Sequence, residues 1–375
     1  MVKLAIVHEW LVTRAGSEQV VEQILAHYPD ADLFSLVEFL PDHLKAFIQH
    51  KSVSTSFLQH LPFAKKHFRQ YLPLMPLAVE QFDLDRYDVV VSSSHAVAKG
   101  ALTRADQLHI SYVHTPIRYA WDLHHHYLKG PGLSRGVKAI AVRATLHYLR
   151  LWDVATANRV DHFVANSRYI ARRIWKTYRR PATVIYPPVA VDRFRPSRQR
   201  DDFYLTVSRF VPYKRVDLIV AAFAQLGLPL VVIGDGSDRA KLQPLFTPNI
   251  TWLGQQPDAV VTDYMQRCKA FVFAAEEDFG ITPVEAQAAG APVIAYGKGG
   301  VTETVIPGKT GQLFPEQTIE SLIEAITQFE TSQQSFDPDM LHEHAAHYSP
   351  ERFRREFSTF VDQKWAQFQQ RDGIE

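Results

Sequence analysis

The chain has 375 residues, beyond the size at which a single hydrophobic core usually stops growing, so we expect two domains. Its 46% of hydrophobic and 22% of charged residues are typical of a globular protein. The formal net charge of +1 does not indicate nucleic acid as a partner. The single Cys268, the absence of a signal-peptide pattern and the absence of a long apolar run predict a cytoplasmic protein without a membrane span.

Short apolar runs alternate with helical segments in the first half of the chain. The run Lys3 to His8 predicts a buried first strand, and Gly16 lies in the loop before a helix predicted at Glu18 to His27. A strand, a glycine-bearing loop and a helix can form a phosphate-facing unit, although one glycine more often marks a plain turn. Further strands are predicted at Asp32 to Val37, Tyr87 to Ser92, His109 to His114, Asp161 to Asn166 and Val184 to Tyr186.

A long helix is predicted at Val137 to Ala157, because apolar residues recur there at helical spacing. These residues are Ile140, Leu146, Leu149, Leu151 and Val154.

His114 stands at the end of a predicted strand, immediately before Thr115 and Pro116. Ligands of open parallel sheets bind outside the carboxyl ends of the strands. We therefore expect His114 at the mouth of a cleft between the two domains, although a lone histidine is more often structural.

The segment 57–78 interleaves basic and apolar residues, and its three prolines prevent one long helix. It could form a basic amphipathic surface that lies on an anionic membrane, which would make the protein peripheral at the inner face of that membrane. It could equally be a set of helices packed on the domain with a solvated basic face. The sequence leaves both interpretations open.

Two patterns resemble metal sites without supporting one. Asp83 and Asp85 precede a predicted buried strand, and their spacing is better explained by turn chemistry. The run His124, His125 and His126 has no carboxylate or cysteine at ligand spacing, which favours a solvated or acceptor-side loop. We expect no metal ligand in this chain.

A proline- and arginine-rich stretch from Pro187 to Arg200 is interpreted as the linker between the halves. Strand-like runs with helical segments between them follow it, which predicts a second parallel, doubly wound sheet. These runs are Phe203 to Ser208, Leu230 to Ile233, Ile250 to Leu253, Phe271 to Ala274 and Val293 to Ala295.

Two cations follow the first strand of the second half. Arg209 leaves the strand end and Lys214 begins the next helix, so both can face the same cleft. A guanidinium fork and a compact ammonium together suit a diphosphate. The Gly234–Gly236 pair after the next strand is an incomplete dinucleotide fingerprint and usually marks a turn.

The stretch EDFGITPVEAQAAGAPVIA carries the strongest signal in the chain. It follows a buried strand predicted at Lys269 to Ala275 and leads into a helix predicted at Val284 to Ala289, with Thr282 as its N-cap. Free amides at a helix N-terminus bind anions, and two nearby carboxylates, Glu277 and Glu285, can accept from sugar hydroxyls. This combination suits a nucleotide sugar.

With its two glutamates separated by seven residues, this stretch resembles the retaining GT-B glycosyltransferases of family GT4, a group that includes sucrose synthase and bacterial lipopolysaccharide and mannosyl transferases. The resemblance covers most of the chain. It implies an α/β fold of two Rossmann-like, doubly wound parallel-sheet domains that face a cleft. The N-terminal acceptor domain would be 1–186 and the donor domain 187–354, with a C-terminal helix at about 355–375 crossing back to the first domain.

The resemblance also implies roles for individual residues. Arg209 and Lys214 would bind the donor diphosphate, Glu277 a hydroxyl of the donor sugar and Glu285 the ribose hydroxyls. His114 matches the cleft histidine of the family and would position the donor sugar or the acceptor. The expected catalytic set is His114, Arg209, Lys214 and Glu277, and the expected donor-binding set is Gly16, Arg209, Lys214, Glu277, Phe279, Gly280, Ile281 and Glu285.

The motifs HTPIRYAWD and FLQHLPFAKKHFRQYLPLMPLA look most like mannosyltransferases of bacterial O-antigen and exopolysaccharide assembly, which favours GDP-mannose as donor and a glycan or lipid-linked acceptor. A UDP-sugar of glucose type is the second choice. The family's usual account of retention is front-face attack, and no carboxylate at a first-domain strand end is a clear candidate for the nucleophile of a double displacement. No cofactor and no metal are expected.

Three other functions remain to be weighed. A sugar-nucleotide epimerase shares the two-domain architecture but consumes donor without an acceptor. A nicotinamide dehydrogenase would need the complete Gly-x-Gly-x-x-Gly, which is missing here. A catalytically dead binding module is not favoured, because both glutamates and both cations are present.

Overall fold

The computed structural model describes residues 2–128, 136–332 and 335–372. The chain divides into two compact units. Unit 1 comprises Met1–Pro187 and Phe353–Glu375, and unit 2 comprises Pro188–Arg352. The sequence had suggested a division after residue 186 and a return at about residue 355.

Unit 1 is built on a parallel sheet of seven strands in the part of the chain that the structure describes, in the order β3-β2-β1-β4-β5-β6-β7. The order reverses between β1 and β4, which is the point at which open sheets of this kind bind ligands. The strands are β1 (Leu4–Leu11), β2 (Asp32–Glu38), β3 (Val53–Thr55), β4 (Val89–Ser94), β5 (Leu108–Val113), β6 (His162–Ala165) and β7 (Ala182–Val184).

Helices cover both faces of this sheet, so its central strands are apolar on both sides. In β1, Leu4 and Ile6 pack into one core while Ala5 and Val7 pack into another. The helices of unit 1 before the linker are α1 (Gly16–His27), α2 (Ala64–His67), α3 (Met75–Val79), α4 (His124–Leu128), α5 (Val137–Thr156) and α6 (Arg168–Tyr178).

The apolar residues that predicted α5 belong to two different faces of the helix. Leu146 and Leu149 are buried, whereas Ile140 and Leu151 are 68% and 61% exposed and Val154 is 40% exposed. Residues three positions apart lie on the same face of a helix. The steps from residue 140 to 146 and from residue 149 to 151 do not keep to one face, so the five apolar residues are spread around the helix. The sequence thus located the helix and could not separate its core face from its solvent face.

The segment 57–78 forms short helical pieces rather than one long helix, as its prolines predicted. Between the 3₁₀ turn Phe57–His60 and α2, Phe63 adopts a left-handed conformation with φ of 56° and is 78% exposed. The segment does pack on the unit through Leu58, Phe68 and Met75, which are buried.

Unit 2 contains a second parallel sheet, six-stranded over the described residues, in the order β10-β9-β8-β11-β12-β13. Its order reverses between β8 and β11, because β8 pairs with both β9 and β11. The strands are β8 (Tyr204–Val207), β9 (Leu230–Ile233), β10 (Ile250–Gly254), β11 (Ala270–Phe273), β12 (Val293–Tyr296) and β13 (Gly311–Phe314).

The sequence did not predict β3 and β13, which are only three and four residues long and partly exposed. The helices of unit 2 are α7 (Val216–Leu226), α8 (Arg239–Leu242), α9 (Asp258–Arg267), α10 (Ile281–Ala288), α11 (Val301–Thr304), α12 (Ile319–Thr331) and α13 (Pro338–Ala346).

The last helix, α14 (Pro350–Asp372), leaves unit 2 and packs on unit 1. Phe353, Phe357 and Phe360 are buried in the same core as Leu4 and Ile6. The expected apolar stripe of the last helix and its return to the first domain are therefore confirmed.

Candidate active site

The reversal of strand order in unit 2 brings together the loops that follow β8 and β11. Lys214 ends the 3₁₀ turn after β8, and Glu277 lies in the loop after β11. Their side chains form an ion pair, and each is about five-sixths buried (15% and 17% exposed). Two residues separated by 63 positions in the chain are thus brought into contact where the topology predicts a ligand site.

Arg209 lies in the same loop as Lys214 but is exposed, and its Nη2 lies 3.1 Å from the Tyr213 hydroxyl oxygen. Its long side chain therefore reaches solvent. A further cation, Lys298, comes from the loop after β12, and its Nζ lies 3.1 Å from Glu276 Oε2.

Helix α10 begins one residue after Gly280, and this corrects the predicted cap. The N-cap is Gly280, with φ of 90°, and not Thr282, which lies inside the first turn. A positive φ is strained for other residues, so glycine supplies the turn that opens the helix. The amides of Ile281 and Thr282 are in the first turn, where backbone donors have no intrahelical partner.

Two glycines pack against the backbone of the Glu277 loop. A Cβ on Gly299 would lie 2.5 Å from the backbone oxygen of Glu277, and a Cβ on Gly300 would lie 2.4 Å from the backbone oxygen of Asp278. The Gly300 amide also donates to the Glu277 carbonyl at 2.8 Å. Phe279 is buried and its ring packs against Tyr348, 5.5 Å away between centroids.

Glu285 lies on α10, buried to 8% exposure, and does not stand alone. Arg193, from the segment before the sheet, donates to Glu285 Oε1 at 3.0 Å and also pairs with Asp258. Burial raises the pKa of Glu285, and the Arg193 charge opposes that rise. The sequence did not single out Arg193, because 92 residues separate it from its partner and it lies in a stretch interpreted as linker.

In unit 1, His114 directly follows β5, one residue beyond the strand that was expected to end with it. Its Nε2 lies 2.8 Å from Ser93 Oγ, and its carbonyl accepts from Asn166 at 3.0 Å. Burial of the ring, together with the nearby His95 and His8, lowers its pKa to about 3. The imidazole is therefore neutral at physiological pH and acts as a hydrogen-bonding group rather than as a cation.

A buried carboxylate that the sequence did not reveal lies beside it. Glu9 Oε1 accepts from the amides of His95, Ala96 and Ala98 at 2.8–3.1 Å, and Oε2 lies 2.9 Å from His95 Nδ1. These contacts outweigh the effect of burial and lower the pKa of Glu9, while the carboxylate raises the pKa of His95. The signal was present: His8 and Glu9 lie near the end of β1, and Ser92 to Ser94 end β4, the two strands at the reversal point.

The loop with Gly16 is organised by Glu18. Gly16 is the first residue of α1, Ala15 is its N-cap, and Glu18 accepts from the Ala15 amide at 3.0 Å. Glu18 Oε1 also lies 3.5 Å from His8 Nε2, and this histidine helps to lower the pKa of Glu18 to about 2 against the effect of burial. Gly16 and His114 thus belong to unit 1, and the other predicted site residues belong to unit 2.

Within residues 2–128, 136–332 and 335–372, no three His, Cys, Asp or Glu side chains are arranged to hold a metal ion. His124 and His125 lie on α4, and Arg150 Nη1 lies 3.2 Å from His124 Nδ1. Over the same described residues, no helix combines the length and the apolar character needed to cross a membrane.

Two family models match the chain, one in each half. The model for glycosyltransferase family 4 matches residues 16–193, and the model for glycosyl transferases group 1 matches residues 191–348. Each half of the chain is thus similar to a glycosyltransferase family, and the two matches together span residues 16–348. They include every candidate site residue named from the sequence.

Named relatives match parts of this chain. It is 30% identical over 196 residues to an uncharacterized glycosyltransferase of Methanocaldococcus jannaschii, covering 51% of this chain and 55% of that one. It is 36% identical over 120 residues to a GDP-mannose-dependent alpha-mannosyltransferase of Mycolicibacterium smegmatis, covering 32% of each chain. The chain thus spans a third to about half of the length of these relatives.

Solved structures match over nearly the whole chain and establish the GT-B fold. The Anabaena protein HepE, crystallised with UDP and glucose, has a TM-score of 0.71 at 17% identity, over 96% of this chain and 100% of its own. The sucrose-phosphate synthase of Thermosynechococcus elongatus has a TM-score of 0.72 at 19% identity, over 98% and 100%.

Proposed function

We propose that this protein is a retaining glycosyltransferase that moves a sugar from a nucleoside diphosphate sugar to a glycan or lipid-linked acceptor. The observation that carries this proposal is the Lys214–Glu277 pair at the strand-order reversal of unit 2, beside the first amides of α10. A cation and free amides suit a diphosphate, and the adjacent carboxylate suits a sugar hydroxyl.

In this proposal each group has a defined task. Arg209, Lys214 and the amide of Ile281 bind the diphosphate and stabilise the negative charge that grows as it leaves the sugar. Glu277 accepts from a hydroxyl of the donor sugar, and Glu285, oriented by Arg193, accepts from the ribose. Because fixed cations supply the charge stabilisation, the reaction as proposed needs no metal.

Front-face attack is the mechanism that we favour. The acceptor hydroxyl attacks the anomeric carbon on the face from which the nucleoside diphosphate leaves, and the departing phosphate oxygen takes the hydroxyl proton. A double displacement would instead require a free carboxylate. Glu9 lies near the end of β1, but it is fully buried and both of its oxygens lie against donors of residues 94–98, which leaves it unsuited as a nucleophile.

GDP-mannose is the donor that we favour. Its support is the sequence likeness to GDP-mannose-dependent mannosyltransferases, which are 36% identical over 120 and 110 residues. A UDP-sugar is the second candidate, since HepE, a protein with the same fold, was crystallised with UDP and glucose. The assembly of a surface polysaccharide would follow from the mannose donor and a lipid-linked acceptor.

We also propose that the segment 57–78 contacts an anionic membrane, with α5 beside it. Lys65, Lys66 and Arg69 are exposed on this segment, Phe63 projects into solvent, and Leu72 packs against the buried face of α5. Helix α5 also exposes apolar side chains, namely Val137, Ile140, Tyr148 and Leu151. The one acidic residue of α5, Asp153, is buried and paired with Lys99, so neither element presents a carboxylate to repel an anionic surface.

The membrane proposal predicts a composition-dependent interaction. Vesicles containing phosphatidylserine should co-sediment the protein, and vesicles of phosphatidylcholine alone should not, because apolar contact is reinforced by charge. Leu151→Ser and Phe63→Ser should each reduce the bound fraction, whereas Leu102→Ser, at an exposed leucine outside both elements, should not. Equal binding to both kinds of vesicle would contradict the charge contribution.

The transfer reaction can be tested with labelled donors. Purified protein is incubated with GDP-mannose or UDP-glucose, with and without a lipid extract of bacterial membranes, and the label entering the lipid phase is counted. We expect transfer from GDP-mannose only when the extract is present. Consumption of donor without extract and without free sugar would instead identify an epimerase.

A further inference from the structure

A chain of four buried or half-buried polar side chains runs through unit 1 where its strand order reverses. Glu18 Oε1 lies 3.5 Å from His8 Nε2, and His8 Nδ1 lies 3.2 Å from Ser93 Oγ. Ser93 Oγ in turn lies 2.8 Å from His114 Nε2. His8, Ser93 and Glu18 are almost completely buried, so water does not compete for these contacts.

The register of the sheet enforces this order. His8 of β1 lies directly opposite Ser93 of β4, so the two side chains point to the same face of the sheet. The next strand, β5, delivers His114 one residue beyond its end, and the His114 amide donates to the Ser94 carbonyl at 2.8 Å. The contacts therefore follow from the pairing of three neighbouring strands.

The hydroxyl of Ser93 lies between two imidazole nitrogens and has a single proton. It donates that proton to one nitrogen and accepts a proton from the other. Consequently, of the two facing nitrogens, His8 Nδ1 and His114 Nε2, one carries hydrogen and the other does not.

The carboxylate of Glu18 determines the protonation of the His8 nitrogen that faces it. It can only accept, so His8 Nε2, which faces it, carries a proton in both charge states of His8. The protonation of His8 Nδ1 then determines what Ser93 does, and Ser93 determines what His114 does.

We propose that His8 and Ser93 are positioning residues that set the tautomer of His114. When His8 is neutral, Ser93 donates to it, His114 carries its proton on Nε2, and His114 Nδ1 is left as an acceptor. When His8 is positively charged, the directions reverse and His114 Nδ1 becomes a donor. The importance of this switch for sugar transfer rests on the proposed role of His114.

Charged and titratable groups surround His8 from every neighbouring element. Glu9 follows it in β1, Glu18 comes from α1, His95 follows β4 with its ring centroid 6.1 Å away, and Arg69 acts on His95 from the 3₁₀ turn 68–74. The contacts that set the tautomer of His114 thus lie inside a cluster of two carboxylates, a further histidine and an arginine.

Nitrogen NMR of histidine-labelled protein tests the proposal without any substrate. The shifts of the ring nitrogens report which of them carries a proton, and His8→Gln and His114→Gln variants assign the signals. We expect one proton, and only one, on the pair formed by His8 Nδ1 and His114 Nε2 at each pH across the neutral range. Protons on both nitrogens, or on neither, would overturn the proposal.

Ser93→Ala provides the matching perturbation. It should convert His114 from one tautomer to a mixture while the protein remains folded by circular dichroism. Ser92→Ala is the control, because Ser92 makes the same kind of contact with His109, 2.9 Å away, on the other face of the strand. A His114 tautomer unchanged in Ser93→Ala would contradict the proposal.

The kinetic consequence separates this inference from the proposed function. Ser93→Ala should lower kcat for transfer from GDP-mannose about tenfold, with KM for the donor little changed, and Ser92→Ala should retain the parent kcat. If the tautomer of His114 changes in Ser93→Ala but kcat for transfer does not, then Ser93 does position His114 and the proposed role of His114 in transfer is wrong.

Discussion

At the scale of single residues, the candidate site depends on charged pairs whose members lie far apart in the chain. The sequence identified Lys214 and Glu277 separately, and the structure brings them into contact. It identified Glu285 but not Arg193, which neutralises it. A carboxylate buried on a helix needs a partner, yet the sequence pattern cannot indicate which of the 41 lysines and arginines would supply it, since pairing is decided by tertiary contact.

Removal of Arg193 should destabilise the protein in a pH-dependent way. In Arg193→Met the buried Glu285 loses its cation, so its already raised pKa should rise further. A carboxyl group whose folded-state pKa lies above its unfolded value costs stability as the pH rises, because the unfolded state releases the proton more easily.

Thermal unfolding of Arg193→Met at pH 5 and pH 8 measures this effect. We expect the melting temperature to fall more at pH 8 than at pH 5. Asp258→Asn, which removes the exposed partner of Arg193 and leaves Glu285 paired, should change little at either pH. A larger fall in the melting temperature of Arg193→Met at pH 5 than at pH 8 would show that the Arg193–Glu285 pair does not stabilise the site.

The histidines and serines at the strand ends of unit 1 show where sequence reasoning stopped. His114 could be singled out by its position before Thr115 and Pro116, but a lone histidine gives no indication of its hydrogen-bond partners. His8 and Ser93 become interpretable once β1 is known to pair with β4, because that pairing places them opposite each other. Strand order is a non-local property, and short apolar runs do not encode it.

At the scale of elements, most strands and helices could be located from apolar periodicity and turn residues. The failures have physical causes. Thr282 looked like an N-cap because threonine followed by proline is typical of one, but Gly280 makes the turn earlier through its positive φ. The pattern of α5 merged a core face with an exposed face, because both faces are apolar.

The loop that presents Glu277 depends on two glycines that have no side chain to contribute. Gly300 has an ordinary φ, so alanine there is not strained by its backbone, but its Cβ would lie 2.4 Å from the Asp278 oxygen and from Phe279 Cα. Gly300→Ala should therefore displace the loop and lower nucleotide affinity at least tenfold, as measured by calorimetry.

Gly227→Ala is the matched control for that substitution. Gly227 has a φ of 71° at the end of α7, and no atom lies within 4 Å of the point that a Cβ would occupy. Alanine there should cost about 1 kcal/mol of stability from backbone strain and leave nucleotide affinity unchanged. An equal loss of affinity in both variants would show that general destabilisation, and not loop displacement, is responsible.

At the scale of the whole molecule, the chain consists of two similar sheets with different chemistry at their reversal points. Unit 1 carries buried histidines and carboxylates, and unit 2 carries cations, a glycine turn and a helix N-terminus. This division agrees with the two family matches, one of which covers each half. It could be expected from the order of motifs along the chain, since each half repeats the alternation of strand and helix.

The buried histidines predict that unit 1 loses stability in acid. Burial lowers the pKa of His109 to about 4 and that of His114 to about 3, so these two side chains stay neutral in the folded unit as the pH falls from 6.5 to about 4. In the unfolded chain the pKa of a histidine is about 6.5, so both take up protons there over the same range. Stability should therefore fall as the pH drops from 6.5 towards 4, by about 1.4 kcal/mol per pH unit for each histidine.

Denaturant unfolding followed by tryptophan fluorescence measures this slope. Of the six tryptophans, all except Trp252 lie in unit 1, so the signal reports mainly on that unit. His109→Gln should reduce the slope between pH 6 and pH 4.5 by about 1.4 kcal/mol per pH unit, because one titrating group is lost. An unchanged slope would mean that His109 is protonated in the folded state.

The central claim is that Lys214 and its surroundings bind a nucleoside diphosphate, and calorimetric titration of GDP and UDP in the presence of EDTA tests it most directly. A charge-assisted contact contributes about 1.5–3 kcal/mol, so Lys214→Ala should weaken binding about 10- to 100-fold. Lys241→Ala, at an exposed lysine of the same unit, should bind as the parent protein does. We predict that the parent protein binds GDP more tightly than UDP. Of the two variants, only Lys214→Ala should weaken this binding. Equal affinity in the parent and Lys214→Ala would contradict the account.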